Sequence, residues 1–144
     1  ETDSRLDEMQ AGLLRVKLKH LDECNEERCR IADRYYMGIK NSLIQFPKIR
    51  PGADSTWHQF VVHVPGHRDE LMKYLKEREI GTLIHYPIPP HLSEAYAFLG
   101  HKKGDFLIAE QYAGEVLSIP MYNGMTEDEQ RTVIGAINEF KVEE

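Results

Sequence analysis

Three prolines stand within four positions of the stretch Ile84-His85-Tyr86-Pro87-Ile88-Pro89-Pro90-His91. Each pyrrolidine ring fixes φ and removes a donor N–H, so this stretch is excluded from helix interiors and from central strands. Whatever the chain folds into must be built on either side of a stiff, extended segment. Two imidazoles and a phenol ride on it, groups that bind ligands or move protons. From shape alone, a stiff connector with solvated histidines and a ligand-facing loop fit equally well.

Upstream, residues 4 to about 41 read as one long helix or two abutting ones. Ser4 is placed to cap its start, with Asp7 in the first turn where a negative charge suits the helix dipole. One apolar stripe runs through Leu14, Leu18, Leu21, Cys24, Ile31, Tyr35 and Ile39, broken by Arg28, while Leu6, Met9, Leu13 and Val16 form a second face. Apolar surface on two sides of the first turns implies burial between two bodies. Residues 41–55, with Pro47, Pro51 and Gly52, read as a connector. Trp57 to Val64 is predicted as a strand with His58, Phe60, Val62 and Val64 on one face, ended by Pro65. Asp69 to Glu79 is predicted as a helix with Leu71, Met72 and Leu75 inward, and Ile80 to Ile84 as a second strand.

Beyond the prolines, Leu92 to Leu99 reads as a short helix ended by Gly100. Asp105 to Glu115 reads as another, with Ile108, Ala109 and Tyr112 on its buried side. Val116 to Ile119 is a third strand. Thr126-Glu127-Asp128-Glu129 is a capping box that opens a final helix to Phe140, with Val133, Ile134, Ile137 and Phe140 facing the core. The fold class is therefore α+β: a long N-terminal helix and a sheet of about three strands backed by helices, in one domain over 1–144.

A net charge of −6 argues against nucleic acid and anionic membrane as main partners, since excess Lys and Arg hold both. No apolar run reaches the length of a membrane span. Cys24 and Cys29 lie five apart on one helix and point to different sides, which rules out a bridge between them and fits a reducing, cytoplasmic setting. The opening Glu1-Thr2-Asp3-Ser4, with no Met, reads as a processed or excised chain. No Gly-rich phosphate loop and no nucleophile elbow is present. His63 and His67 flank a Pro-Gly turn, and His85, His91 and His101 lack the spacing of a structural zinc site, so no metal is expected. Arg5 lies near the start of the first helix, where a cation opposes the dipole and an anion contact is one reading of it. Tyr86 and Tyr122 follow strand ends, and a shared cleft between them is an open reading.

Taken together, several of these motifs resemble one family. Ser4-Arg5-Leu6-Asp7-Glu8-Met9-Gln10-Ala11 is similar to the helix that follows the active-site lysine region of the DegT/DnrJ/StrS aminotransferases. Trp57-His58-Gln59-Phe60, Gly81-Thr82 with His85-Tyr86-Pro87-Ile88-Pro89 and His91, Lys103-Gly104-Asp105-Phe106 with Ala109-Glu110, and Leu117-Ser118-Ile119-Pro120-Met121-Tyr122 continue it in order. The resemblance implies the small C-terminal domain of a pyridoxal-phosphate enzyme with the aspartate-aminotransferase fold. It implies transfer of an amino group from glutamate to a nucleotide-linked keto-sugar, most like members acting on dTDP-linked 3-keto-6-deoxyhexoses, in a homodimer. The Schiff-base lysine would belong to a large domain upstream, joined through the 4–41 helix, so no catalytic residue is expected here and the chain alone is expected to be inactive. By position, Arg5 would contact cofactor phosphate or substrate near the dimer interface. Asp3 stands where the family usually has an asparagine that reaches the partner's cofactor phosphate, and a carboxylate there opposes a phosphate. His85, Tyr86 and His91 would face the sugar nucleotide. The competing class is a non-enzymatic regulatory or protein-interaction module.

Overall fold

The computed structural model describes residues 6–142. The N-terminal stretch forms two helices, α1 (Glu8–Leu18) and α2 (Leu21–Gly38), separated at Lys19 and His20. Ser4 lies outside the described residues. The cap seen at the start of α1 is Asp7, whose carboxylate accepts from the N–H groups of Met9 at 2.8 Å and Gln10 at 3.2 Å. Asp7 is therefore the cap and not a first-turn residue, and α1 begins one position after it.

The two helices have opposite fates. None of α1's side chains is buried, whereas Ile31, Ala32 and Tyr35 of α2 lie in the core. The stripe read through Leu14, Leu18 and Leu21 is thus exposed in its first half and buried in its second.

The sheet is smaller than the sequence pattern implies. Strands β1 (Phe60–His63) and β2 (Val116–Ile119) pair antiparallel, Phe60 opposite Ile119 and His63 opposite Val116. Each outer edge carries a single bridge, Gln45 to His63 and Leu83 to Ser118. The expected second strand over 80–84 is reduced to that one bridge at Leu83, because the proline segment follows at once and ends the ladder. At the other end of β1 the expected alternation fails. Trp57 adopts a positive φ of 48°, and this local turn buries Trp57 and leaves His58 exposed.

Helix α3 (Arg68–Lys76) buries Leu71 and Leu75 against β2 and the last helix, α5 (Glu127–Glu139). The capping box at Thr126 is formed in both directions, with the Glu129 N–H donating to Thr126 Oγ1 and the Thr126 N–H to Glu129. α5 crosses α2 closely at Gly38, where an added Cβ would stand 2.8 Å from Ile134 Cδ1. The core gathers Tyr35, Phe60, Leu71, Leu75, Leu117 and Ile137 with Trp57, whose ring stacks on Phe60 at 5.2 Å.

After the prolines come two 3-10 turns, Pro90–Leu92 and Glu94–Leu99, the second closed by Gly100 in the left-handed region. Helix α4 (Leu107–Glu115) follows. It has no buried residue, and Ile108 and Tyr112, expected inward, are exposed. The helix forms where expected, but its apolar face is only lightly packed: Tyr112 meets the His63 ring edge-on at 5.1 Å, and Ile108 stays open to solvent.

Candidate functional site

The proline segment lies across the open edge of β2, where the Leu83–Ser118 bridge delivers it. His85, the first imidazole, is anchored there: its Nδ1 sits 2.9 Å from the Ser118 hydroxyl, and Ser118 is buried. This contact fixes the ring plane and leaves Nε2 free of a protein partner among the described hydrogen bonds. His85 stands between two grooves. One, of about 480 Å³, is lined by His58, Gln59, Thr82, Ser118 and Met121. The other, of about 330 Å³, has Tyr86, Ile88, Pro89 and Pro90 on one wall and Ala109, Tyr112 and Ala113 of α4 on the other.

Tyr86 is 74% exposed and projects at the mouth of this second groove, its ring edge-on to His85 at 5.7 Å. Tyr122 belongs elsewhere, in a groove with Arg78, Asp128 and Glu129. The two tyrosines share no cleft. The hydrogen bond to Glu129 pushes the Tyr122 hydroxyl up, with partial desolvation adding to it.

His91, the second imidazole, is not among the groove-lining residues. Its Nε2 faces Glu110 Oε1 at 3.0 Å, and its ring packs on Phe106 at 4.8 Å. The same carboxylate oxygen accepts from the Gly104 N–H at 2.8 Å and the Phe106 N–H at 3.4 Å. The Gly104 N–H, then His91 and Phe106, hold the Glu110 carboxyl below the usual carboxylate range. Asp3 and Arg5 lie outside the described residues. Of the expected site residues, the structure brings His85 and Tyr86 to one groove and places His91 behind its wall.

Three groups have roles that the sequence did not show. Ser118 and Glu110 support the two histidines, and the sequence held both only as members of longer motifs. Arg28, the break in the α2 stripe, is the third. Its Nε donates to Asn123 at 2.9 Å and its Nη1 to the carbonyls of Trp57 and His58 at 3.1 and 3.0 Å. Asn123 in turn donates to Cys24 O and to Glu27. These bonds fasten the turn after β2 and the entry to β1 onto α2, and so hold His58 and Met121 at the larger groove.

Amino transfer on pyridoxal phosphate requires a lysine in an enclosed pocket beside the reacting carbonyl. Every lysine of this chain is exposed. The described residues therefore do not fit a complete pyridoxal-phosphate site by themselves. Nor do they hold a cluster of three or more His, Cys, Asp or Glu suited to a metal ion, or a helix long and apolar enough to cross a membrane. Cys24 and Cys29 are free thiols.

Comparison with known proteins supplies what the geometry lacks. The model of the DegT/DnrJ/EryC1/StrS aminotransferase family matches residues 2–138. The chain is 42% identical over 138 residues to the dTDP-3-amino-3,6-dideoxy-alpha-D-galactopyranose transaminase of Aneurinibacillus thermoaerophilus, which covers 96% of this chain and 37% of that protein. It is 50% identical over 121 residues to the erythromycin biosynthesis sensory transduction protein EryC1 of Saccharopolyspora erythraea, covering 83% of this chain and 33% of that protein. Among solved structures, DesV of S. venezuelae, in complex with a ketimine intermediate, superposes with a TM-score of 0.88 at 42% identity. That match covers 94% of this chain and 36% of DesV. The chain spans about a third of the length of the curated relatives it matches.

Proposed function

The chain belongs to the DegT/DnrJ/EryC1/StrS aminotransferase family, and from that premise we propose that it is the C-terminal portion of an enzyme that aminates a nucleotide-linked keto-deoxysugar. The observation that carries this reading is the match to a dTDP-amino-sugar transaminase over 96% of the chain. Glutamate is the amino donor and pyridoxal phosphate the cofactor, which supplies the electron sink when bound. The Schiff-base lysine comes from the remainder of the protein. This portion contributes the sugar-facing wall, with the His85 Nε2 and the Tyr86 hydroxyl as polar contacts and Ile88 and Tyr112 as apolar ones. Arg5 is assigned to an anionic group at the subunit boundary, and Asp3, a carboxylate, is assigned no phosphate. The exposed apolar side chains of α1 are assigned to the contact with the rest of the protein or with a second subunit. Free thiols at Cys24 and Cys29 fit a cytoplasmic setting.

The test is an amino-transfer assay on the protein encoded by the whole reading frame, with pyridoxal phosphate, glutamate and a dTDP-linked 3-keto-6-deoxyhexose. Formation of 2-oxoglutarate is expected from that protein and not from the 144-residue chain. Turnover by the chain alone, or none by the whole protein, overturns the proposal. A regulatory or protein-interaction module is the second reading, favoured by the sensory-transduction name of one relative. It takes the lead if the whole protein never forms 2-oxoglutarate.

A further inference from the structure

With no buried side chain on α4, the wall this helix gives the smaller groove is not fixed by a packed core. Polar ties hold it, beside the edge-on contact of Tyr112 with the His63 ring at 5.1 Å. Glu115 at its end pairs with His63 of β1, and the Arg68 Nη1 donates to the Ala113 carbonyl at 3.1 Å. Glu110 reaches His91, directly after Pro90. Among the described residues, this last contact is the one hydrogen bond or ion pair that joins α4 to the proline segment forming the opposite wall.

We propose that Glu110 is a positioning residue of this groove: it grips the proline segment through His91 and so sets the spacing at which His85 and Tyr86 meet the ligand. The identity of that ligand as a sugar nucleotide rests on the aminotransferase reading; the grip does not. Both partners are withdrawn from water, with side-chain exposures of 8% for His91 and 14% for Glu110, which strengthens a bond between them. The Gly104 and Phe106 N–H groups hold the carboxylate in place before His91 reaches it, so little rotamer freedom remains to be lost. Between His91 and Tyr86 lie three prolines. With φ fixed at each of them and the residues before them restricted, most of a displacement at His91 is transmitted along the segment.

In the whole enzyme, Glu110→Ala and His91→Ala should each raise KM for the nucleotide sugar about tenfold, with kcat changed far less. Because both act on one contact, the double variant should be no worse than either single one. Glu110→Gln keeps an acceptor for Gly104, Phe106 and His91 and should restore most of the affinity. Additive losses, or a His91→Ala variant with unchanged KM, would overturn the proposal and reduce Glu110 to a cap on the loop before α4. The imidazole ¹⁵N spectrum of His91 in the 144-residue chain is the second readout and needs no substrate. Glu110→Ala should move the His91 Nε2 resonance to that of a solvated histidine, and an unmoved resonance would overturn the grip even in an active enzyme. A moved resonance in a protein that never turns over would uphold the grip and defeat the aminotransferase reading.

Discussion

Tyr35 donates its hydroxyl to the Pro120 carbonyl at 2.6 Å from a position with no solvent exposure, and burial pushes its ionisation far up, beyond any working pH. Tyr35→Phe keeps the packing but leaves that carbonyl without its donor, and urea denaturation should show a loss of about 1–2 kcal/mol. Glu27 works through charge. The Asn123 amide and then the Gly124 N–H donate to its carboxylate and hold its pKa below the usual carboxylate range. A group depressed by folding stabilises the fold above its unfolded pKa, and that contribution fades as pH falls through the folded value. Glu27→Gln should thus unfold at lower urea than the parent at neutral pH, and the two should converge once the pH is well below the carboxylate range. Equal midpoints at neutral pH would sink this. The contacts of Glu27 and Arg28 were not legible in the sequence, because their partners, Asn123 and the carbonyls of Trp57 and His58, come from distant turns. An arginine interrupting an apolar stripe was the visible trace; its destination depended on the tertiary fold.

Helix ends and helix crossings carry separate predictions. Thr126→Ala removes the acceptor for the Glu129 N–H and half of the capping box, and should cost about 1 kcal/mol by thermal or urea unfolding. At the α2–α5 crossing, Gly38→Ala places a methyl against the whole Ile134 side chain, with Cδ1 and Cγ2 at 2.8 and 3.0 Å. The gain in helix propensity does not offset that overlap, and the variant should be destabilised by about 1 kcal/mol. Adding Ile134→Ala should cost less than the single changes predict in sum, which a double-variant cycle measures. Elements written in local chemistry were readable beforehand: the Thr126 capping box, the Gly100 stop, and the Leu71–Leu75 face of α3. Features that depend on a neighbour were not. The 80–84 strand lost its ladder to the prolines after it, Trp57 turned inward on a positive φ, and the apolar face of α4 proved to be mostly open to solvent. Periodicity identifies which side chains share a surface and is silent on what lies opposite.

Over the whole molecule, the packed core and the exposed apolar surface are divided between different helices. α1 buries nothing in this chain, yet it displays Met9, Leu13, Leu14, Val16 and Leu18 to solvent. Leu13→Glu should therefore leave the unfolding free energy within about 0.5 kcal/mol of the parent while it abolishes concentration-dependent self-association in light scattering. A monodisperse monomer from the parent chain would remove the basis for that expectation. The candidate site is divided in the same way: His85 and Tyr86 could be named from the sequence, but Ser118 and Glu110, which hold the segment, became visible only once the chain was folded. The core itself spans the sequence. Asn138 bonds both the Lys40 N–H and the Gly38 carbonyl, and Asn41 donates to the carbonyls of Ile137 and Phe140. During synthesis, then, α2 must wait for nearly all the rest of the chain to leave the ribosome before its buried face finds α5. A nonsense codon or frameshift anywhere before Thr126 would leave Tyr35, Phe60 and Leu117 without a closing layer. Truncations before Thr126 should behave as complete losses and not as mild ones.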